Sequence, residues 1–462
     1  MKRLFLFISI LASVFSIPAT AQNEVSGVYV GGHIRRERPK TIQKLRESGF
    51  TYALLFNVDV QADGTLKTDG ETICQNGEYV FGKTQPHYQE DIALLKTAPT
   101  SISRIEIVIG GWGNKSYNNI KDLIKKSGTG SNTMLYKNFK ALIEAVPQID
   151  AVNNDDENCY DVETGAKFHI MMYDLGYKTS LAPYTYKSYW QDLCAKIRSS
   201  RARAVDRVMI QCYDGGAGNT NSVASWTFNG VTRRHAGLMY YSNDWSVSKN
   251  LAQFQKWADE KSAVGGFVWV YNSEEWDLNA WASGMNRIFK ARTTPEDEVV
   301  LRCYSEYNYK GYCVSLPAGS YSKGELAVYG LTGNDLSSME LVKPGYKVRL
   351  YRTADFTGTF RNYSVNVARM PSGYNNGVNS LIIEELEDGV DLTPSEEPAI
   401  QARNGSIQLD HCSGQQAYIY DASGRQVYST VVRSDAEVID LQRFPRGTYV
   451  VRVGDRSLML LR

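Results

Sequence analysis

The chain has 462 residues, of which 43% are hydrophobic and 22% are charged, and its formal net charge is +1. These proportions are typical of folded proteins and exclude a largely disordered chain. The length exceeds the roughly 250–300 residues that one hydrophobic core organises, so several domains are expected. Because no cluster of Lys and Arg accompanies the near-zero charge, we expect no nucleic-acid partner.

The first residues have the three regions of a secretory signal peptide. Lys2 and Arg3 are basic, and a mainly apolar run follows over residues 4–12. The small residues of Ala19-Thr-Ala21 match a cleavage site. We therefore expect residues 1–21 to be removed and the protein to be exported. No later segment approaches the roughly 18–20 consecutive apolar residues that a membrane helix needs.

Between about residue 25 and residue 292, apolar runs alternate with segments of helical period, a pattern that predicts βα units and a parallel sheet. Eight strands and a length close to the typical value of about 250 residues predict an α/β fold, a (β/α)8 TIM barrel over residues 22–294. The predicted strands lie near residues 27–31, 52–57, 105–109, 149–155, 178–183, 206–213, 236–241 and 264–270. The predicted helices include residues 41–48, 134–146, 166–175, 186–199 and 276–290.

The rest of the chain predicts two small all-β domains. Tyr304–Gly311 and Tyr351–Gly358 share one spacing of two aromatic residues and a glycine, which indicates two related β motifs within residues 299–385. An acidic, proline-containing stretch predicts a linker at residues 386–403, and residues 404–462 alternate apolar and polar as in an antiparallel β-domain. We call residues 299–385 the repeat domain and residues 404–462 the terminal domain.

The cysteines of an exported protein can form disulfides. The chain has seven, an odd number without metal-like spacing, and only Cys303 and Cys313 look able to pair. The five histidines are not spaced as metal ligands, so we predict no metal in the barrel.

Polar side chains gather at the end of the fourth predicted strand. Residues two apart on a strand face the same side, so Asn153, Asp155 and Glu157 would project into the barrel mouth, where the active sites of this fold lie. A negative neighbour and partial burial raise the pKa of one carboxyl group, which then stays protonated near neutral pH. We assign this proton-donor role to Glu157, although the segment alone is also compatible with acids on a solvated loop.

The segment Asp150–Glu157 resembles the Asp-x-x-Asp-x-Asp-x-Glu signature of glycoside hydrolase family 18, with Asn153 in place of the second aspartate. Three further segments resemble motifs of the same family in the same order. Ile109–Trp112 resembles the Gly-Gly motif after strand three, Gln211–Asp214 resembles the Tyr-Asp motif after strand six, and Trp269 matches the tryptophan of strand eight. The four segments lie in the predicted barrel, between Ile109 and Trp269.

The resemblance implies hydrolysis of β-1,4 linkages in glycans that contain N-acetylglucosamine, by substrate-assisted retaining catalysis without a cofactor. It implies that Glu157 protonates the leaving oxygen, that Asp155 orients the acetamido N–H, and that Tyr213 hydrogen-bonds the acetamido carbonyl. Substrate contacts are implied for Asp214, Trp269, Asn153 and Trp112.

Two departures leave the function open. Asn153 removes a charge beside Asp155, so a catalytically weak or inactive surface glycan-binding protein, a chitinase-like lectin, is the alternative to an enzyme. Asp156 creates an Asp-Asp-Glu triplet that resembles the endo-β-N-acetylglucosaminidase branch, whereas many chitinases have Trp there. The substrate is therefore either chitin or the chitobiose core of N-glycans. We expect a monomer.

The repeat domain resembles βγ-crystallin Greek-key motifs, in which an Asn/Asp-rich turn that ends in Ser can bind calcium through oxygen ligands. The second turn would supply Asn375, Asn376 and Ser380, whereas the first turn begins with Gly333 and lacks one ligand. A spacer or a sugar-docking module is the alternative to a calcium site.

The terminal domain resembles the sorting domain of the type IX secretion system of Bacteroidetes-type bacteria. The similarity lies in Tyr418–Arg425, Leu441, Pro445–Gly447 and Tyr449–Val453. It implies that the outer-membrane secretion machinery is a partner and that the protein is extracellular or at the cell surface. A generic β-sandwich is the alternative.

Overall fold

The structure is a computed structural model, in which the chain forms two compact units. The first extends to residue 361 and includes residues 366–384, and the second comprises residues 362–365 and 385–462. The predicted signal peptide and most of the predicted linker lie outside the described residues. The described residues are 22–216, 223–239, 246–272, 277–386, 399–403, 406–410, 412, 415–432, 436–454 and 456–462.

The first unit contains the predicted closed barrel of eight parallel strands. The described residues between 22 and 272 contain twelve strands, and the eight strands predicted for the barrel are all confirmed, within two residues at their starts and ends. The strands are β1 (Ser26–Val30), β2 (Tyr52–Leu55), β3 (Asp59–Val60), β4 (Leu66–Thr68), β5 (Glu71–Gln75), β6 (Glu78–Tyr79), β7 (Arg104–Gly110), β8 (Ala151–Asp155), β9 (Lys178–Leu181), β10 (Val205–Gln211), β11 (Arg234–Met239) and β12 (Gly265–Tyr271).

The barrel strands follow one another around the ring in the order β1-β12-β11-β10-β9-β8-β7-β2. Their residues are almost all buried, because side chains fill the interior on one face and helices cover the other. The helices are α1 (His33–Arg36), α2 (Lys40–Arg46), α3 (Tyr88–Leu95), α4 (Ser116–Ser127), α5 (Met134–Ala145), α6 (Val162–Asp174), α7 (Lys187–Ser200), α8 (Val247–Asp259) and α9 (Leu278–Phe289).

Helix α6 begins four residues before its predicted start at residue 166. The side chain of Asp161 accepts a hydrogen bond from the backbone N–H of Thr164 (3.0 Å), so Asp161 caps the helix and fixes its first turn. An Asp three residues before a Thr was a capping signal that the apolar pattern alone did not reveal.

Strands β3–β6 form a small antiparallel sheet that the sequence analysis did not predict. Its hairpins turn at Asp69-Gly70 and Asn76-Gly77, and all four residues have positive φ angles. Asp-Gly and Asn-Gly favour the tight turns that need this conformation, so the signal was present in the sequence. Arg35 and Arg36 form ion pairs with Asp69, which ties the sheet to helix α1.

The repeat domain contains a three-stranded and a four-stranded antiparallel sheet, with strand orders β14-β13-β16 and β15-β19-β17-β18. The two halves of the internal repeat use the same contact. The hydroxyl of Ser338 accepts from the backbone N–H of Tyr309 (3.0 Å), and that of Ser380 accepts from Phe356 (3.1 Å). The elements are β13 (Leu301–Glu306), β14 (Lys310–Leu316), β15 (Gly319–Tyr321), α10 (Lys323–Tyr329), β16 (Ser338–Leu341), β17 (Tyr346–Tyr351), β18 (Phe360–Tyr363) and β19 (Ser380–Glu385).

Helix α9 of the barrel packs against α10 of the repeat domain through buried polar contacts. The amide of Asn286 donates to the carbonyl oxygens of Gly49 and Ala327, both at 2.8 Å. The hydroxyls of Ser283 and Thr332 are hydrogen-bonded at 2.8 Å. These bonds join the N-terminal face of the barrel to the repeat domain within one compact unit.

Cys303 and Cys313 are both free, so the suggested disulfide is wrong. Register pairs Cys303 with Val314 and Tyr304 with Cys313. Because successive residues of a strand face opposite sides, Cys303 points into the core and Cys313 is exposed.

The terminal domain is an antiparallel β-domain with its own hydrophobic core. Its sheets have the strand orders β20-β21-β24 and β23-β22-β25-β26. Among the described residues, no helix has the length and apolar character that crossing a membrane requires. The strands are β20 (Ala399–Arg403), β21 (Ser406–Asp410), β22 (Gln416–Asp421), β23 (Gln426–Val431), β24 (Ala436–Asp440), β25 (Thr448–Val453) and β26 (Arg456–Leu461).

Candidate functional site

A pair of carboxyl groups lies at the carboxyl end of β8. Asp155 is the last residue of the strand and is buried, and Glu157 follows two residues later and is partly exposed. Their side chains hydrogen-bond each other. Gln211, at the end of β10, donates its amide N–H to Oδ1 of Asp155 at 2.8 Å. The structure thus brings together the two acids that the sequence analysis singled out.

The surroundings of the pair favour retention of a proton. Burial raises the pKa of Asp155 well above its usual range, and the charge of Glu157 raises it further, whereas the hydrogen bond from Gln211 acts against this shift. Burial also raises the pKa of Glu157, whereas the hydrogen bond from Asp155 lowers it. In the free protein, the pair therefore keeps one proton, which the two carboxyl groups share through their hydrogen bond.

Asn153 lies inside the barrel beneath the pair and is completely buried. Its Oδ1 accepts from the hydroxyl of Tyr29 (3.0 Å), and its Nδ2 donates to Oγ of Ser180 (2.7 Å). The Ser180 hydroxyl in turn donates to the carboxylate of Glu106, which is paired with Arg104. The amide is therefore held by three strands around the barrel interior, and it supplies no charge to Asp155.

Two glycines let β7 approach the backbone at the end of β8. A Cβ atom at Gly110 would lie 2.0 Å from the carbonyl oxygen of Asp155, which is too close for any side chain. The N–H of Gly111 donates to that same oxygen at 2.7 Å. Both glycines have positive φ angles, 111° and 104°. The Gly-Gly pair therefore fixes the position of Asp155.

An aromatic cluster forms another side of the barrel mouth. Trp269 on β12 contacts Tyr29 and Phe56 edge to face, with ring centroids 5.2 and 4.7 Å apart. Tyr213 packs against the same cluster through Phe267. Burial raises the pKa of Tyr213 well above its usual range, and the charges of Asp155 and Glu157 add to the shift. The hydroxyl therefore stays protonated and can donate a hydrogen bond.

The other predicted contact residues are more peripheral. Asp214 is exposed, and its backbone oxygen accepts a hydrogen bond from the hydroxyl of Tyr184. Trp112 is 93% exposed and does not join the aromatic cluster around Trp269, so it lies at the rim rather than in the floor of the mouth.

Asp150 and Asp156 flank the pair in sequence but are engaged elsewhere. Asp150 precedes β8, at the opposite end of the strand from Asp155, and pairs with Lys96 at 2.8 Å. The buried carboxylate of Asp156 accepts from the backbone N–H groups of residues 158–160 and from the hydroxyl of Tyr189. Asp156 therefore shapes the loop that carries Glu157, whereas Asp150 lies away from the site.

Sequence reasoning missed the residues that hold the acids in place. Gln211 is the last residue of β10 and stands two residues before Tyr213, so alternation along the predicted strand 206–213 could have placed it in the mouth. Tyr29, Ser180 and Glu106 lie on three other strands, and no local pattern connects them to Asn153.

The turn predicted to bind calcium is largely occupied by hydrogen bonds within the protein. The hydroxyl of Ser380 donates to the carbonyl oxygen of Thr353 (2.8 Å) and accepts from Phe356. Oδ1 of Asn376 accepts from the hydroxyl of Ser337 at 2.9 Å. These two oxygens would have to exchange present contacts for a metal ion.

The third predicted calcium ligand is different. Oδ1 of Asn375 is buried and has no hydrogen-bond partner among the described residues. The first turn abuts the barrel, since the N–H of Gly333 donates to Oδ1 of Asn279 on α9 at 2.7 Å. A Cβ atom at Gly333 would lie 2.7 Å from Cε of Lys323, so a ligand side chain there would require Lys323 to move. The residues suit calcium only in part, and its binding stays a prediction.

Comparison with known proteins gives likenesses for only a part of the chain. No protein-family model matches it, and no curated protein matches it. A βγ-crystallin domain from Clostridium beijerinckii is 27% identical over 18% of this chain and 95% of that domain, with a TM-score of 0.18. A βγ-crystallin domain from Flavobacterium johnsoniae is 25% identical over 20% of this chain and 99% of that domain, with a TM-score of 0.19. The N-terminal domain of protein S is 29% identical over 19% of this chain and 97% of that domain, with a TM-score of 0.18. The fold itself defines a TIM-barrel protein with all-β domains after the barrel.

Proposed function

We propose that the protein is an exported glycosidase of the family 18 type, which cleaves β-1,4 linkages of N-acetylglucosamine-containing glycans. The observation that carries this proposal is the hydrogen-bonded pair of Asp155 and Glu157 at the mouth of the barrel. Active sites of TIM barrels lie at this end of the strands, so the fold is compatible with the chemistry. Tyr213 and Trp269 belong to the aromatic cluster of the same mouth, so we expect a sugar above the pair to contact them.

The geometry supports substrate-assisted retention, in which the substrate's own acetamido oxygen attacks the anomeric carbon. The sugar covers the partly exposed Glu157 and raises its pKa further, so the shared proton moves to Glu157. Glu157 gives this proton to the leaving oxygen as the glycosidic bond breaks. Asp155, now ionised, accepts a hydrogen bond from the acetamido N–H, and the Tyr213 hydroxyl donates a hydrogen bond to the acetamido carbonyl oxygen.

The second half of the reaction restores the enzyme. The Glu157 carboxylate removes a proton from water while the water oxygen bonds to the anomeric carbon and displaces the acetamido oxygen. Glu157 is then protonated again, and the sugar leaves with its original anomeric configuration. Because neutral Asn153 gives no charge to Asp155, we expect slower turnover than a carboxylate at this position would support.

The glycan is either chitin or the chitobiose core of N-glycans. Asp156, which raised the second alternative, has its carboxylate turned into the loop, so its role is to shape the loop rather than to contact a sugar. We also propose that the protein is delivered outside the cell, and that the outer-membrane secretion machinery recognises the terminal domain.

Hydrolysis of a chitin oligosaccharide and of a high-mannose glycoprotein tests the proposal. We expect turnover of at least one substrate, and a loss of about 10²–10⁴-fold in kcat for Glu157→Gln, the size of a general-acid contribution. Glu163→Gln is the matched control, because Glu163 is an exposed glutamate on α6 that pairs with Lys196. We expect this variant to keep wild-type activity.

The same experiment separates the enzyme from its alternative. Saturable binding of either glycan without turnover would favour a glycan-binding protein in which the barrel retains only affinity. Turnover that survives Glu157→Gln unchanged would refute the assignment of the acid.

A further inference from the structure

Two tyrosines outside the proposed catalytic set form an exposed aromatic surface on the rim of the barrel. Tyr160 lies in the loop after β8, three residues beyond Glu157, and Tyr186 lies in the loop after the neighbouring strand β9. Their ring centroids are 4.6 Å apart with an interplanar angle of 57°. Tyr186 is 66% exposed. We call this pair the aromatic ledge.

The aromatic ledge is attached to the loop that carries Glu157. The ring of Tyr160 packs edge to face on Tyr189, with centroids 5.1 Å apart. The hydroxyl of Tyr189 donates to Asp156 at 3.1 Å, and the same carboxylate accepts from the backbone N–H of Tyr160 at 2.8 Å. One buried acid therefore fixes both the inner ring of the ledge and the backbone next to Glu157.

The backbone of the ledge is strained in both loops. Tyr160 and Tyr186 have φ angles of 50° and 51°, in the left-handed region that side chains other than glycine seldom adopt. Such conformations persist where surrounding contacts hold them, and they cluster at ligand-binding positions. At Tyr186 this backbone holds an aromatic side chain in solvent, and at Tyr160 it holds a partly exposed ring beside it, an arrangement that folding alone does not require.

The position of the ledge defines which part of a glycan it can meet. In the ring of eight strands, β8 lies four strands away from β12, directly across the mouth. In the proposed mechanism, Trp269 on β12 contacts the sugar whose anomeric carbon is attacked. This sugar stays in the site when the glycosidic bond breaks. Glu157 on the β8 side protonates the leaving oxygen, so the departing part of the glycan extends over the rim near β8 and β9.

We propose that the aromatic ledge is a binding subsite for a pyranose ring in the departing part of the glycan. The inference rests on the proposed function and adds a contact site to it. A tyrosine ring offers an apolar face to the C–H groups of a sugar and a hydroxyl to its polar edge. Because the inner ring is already fixed by Tyr189, little conformational entropy is lost when the sugar stacks on Tyr186.

Two substrates of different length test the subsite. In an aryl chitobioside the leaving group is only a small aryl alcohol, whereas in penta-N-acetylchitopentaose or a high-mannose glycopeptide it includes further sugars or peptide. We expect Tyr186→Ala to lower kcat/KM for the cleaved long substrate by about tenfold, the equivalent of one good ring contact. The aryl substrate should change less than about twofold, because such a leaving group does not reach the ledge.

Two control variants accompany Tyr186→Ala. Tyr186→Phe keeps the ring and should retain most of the activity on the long substrate. Tyr309→Ala removes another exposed tyrosine with a left-handed backbone, φ 59°, in the repeat domain. This variant should leave kcat/KM unchanged for both substrates. Thermal melting of the variants reports any general loss of structure.

Equal losses on the short and long substrates, or no loss on either, would overturn the subsite. If the wild type shows no turnover at all, the affinity for chitopentaose measured by calorimetry decides. A weaker affinity in Tyr186→Ala would support the ledge although the proposed enzyme fails, whereas an unchanged affinity would overturn it.

Discussion

At the residue scale, burial decides the chemistry of the carboxyl pair. Asp155 is buried at the end of a strand, and its only charged hydrogen-bond partner is another acid, so its pKa lies well above its usual range. A buried carboxyl group that must stay protonated stabilises the fold at low pH and costs stability once it has to ionise. The acid is therefore held at the expense of stability, which is common at functional sites.

Replacement of Asp155 by Asn should raise the melting temperature near neutral pH. The folded-state pKa exceeds the unfolded value of about 3.9, so the wild type loses stability as pH rises from that value through the folded pKa. The amide carries no such loss and keeps the hydrogen bond from Gln211. The increase over wild type should be large at about pH 7 and small at about pH 4, the reference pKa of the unfolded chain.

Thermal melting of both proteins across this range measures the effect. Asp192→Asn, which changes an exposed carboxylate on α7, is the control and should not reproduce it. A difference that is independent of pH would contradict the inference that Asp155 ionises at a cost.

At the element scale, the pairing of α9 with α10 shows how the barrel holds the repeat domain. Asn286 is buried, and its side chain accepts from the hydroxyl of Ser26 (2.6 Å) in addition to donating to two carbonyl oxygens. A buried amide with every group paired gives a specific interface, because no shifted arrangement of the helices satisfies the same bonds. The helix prediction for residues 276–290 could place α9 but not this contact.

Replacement of Asn286 by Ala should destabilise the first unit. It removes the amide that bonds the carbonyl oxygen of Gly49, and a buried group left unsatisfied costs about 1–3 kcal/mol. The carbonyl oxygen of Ala327 and the hydroxyl of Ser26 each lose one of several partners. Urea unfolding gives the free energy of unfolding for wild type and variant. Asn132→Ala, at an exposed position, is the control, and an equally small effect at both sites would contradict a structural role for the interface.

At the scale of the whole molecule, the two compact units should respond differently to truncation. The terminal domain has its own core, so a chain that ends at Leu386 should keep the glycan activity and the melting temperature of the barrel. A chain that ends at Thr294 exposes the face of α9 that α10 covers, and it should melt at a lower temperature or aggregate.

Melting curves and hydrolysis rates of the two truncated chains and the full chain provide the measurement. A barrel that stays fully stable without residues 295–386 would show that the repeat domain is only an attachment. Loss of activity on removal of the terminal domain alone would contradict its independence.

The sequence by itself determined the barrel, because a parallel barrel repeats one local pattern of apolar strand and amphipathic helix, and all eight strands follow it. It also determined the internal repeat and the selection of Asp155 and Glu157 as two acids at the mouth of the barrel. The small sheet β3–β6 could have been predicted as well, since Asp69-Gly70 and Asn76-Gly77 are local turn signals.

The tertiary structure alone decided which side chains meet. Asp150 belongs to the same sequence segment as Asp155 yet lies at the opposite end of β8, and Gln211 lies far along the chain yet bonds to Asp155. Closure of the barrel places β7, β8, β9 and β10 side by side, and burial in their midst shifts the pKa of the acid. Both effects arise from contacts between distant segments, which no local pattern of residues encodes.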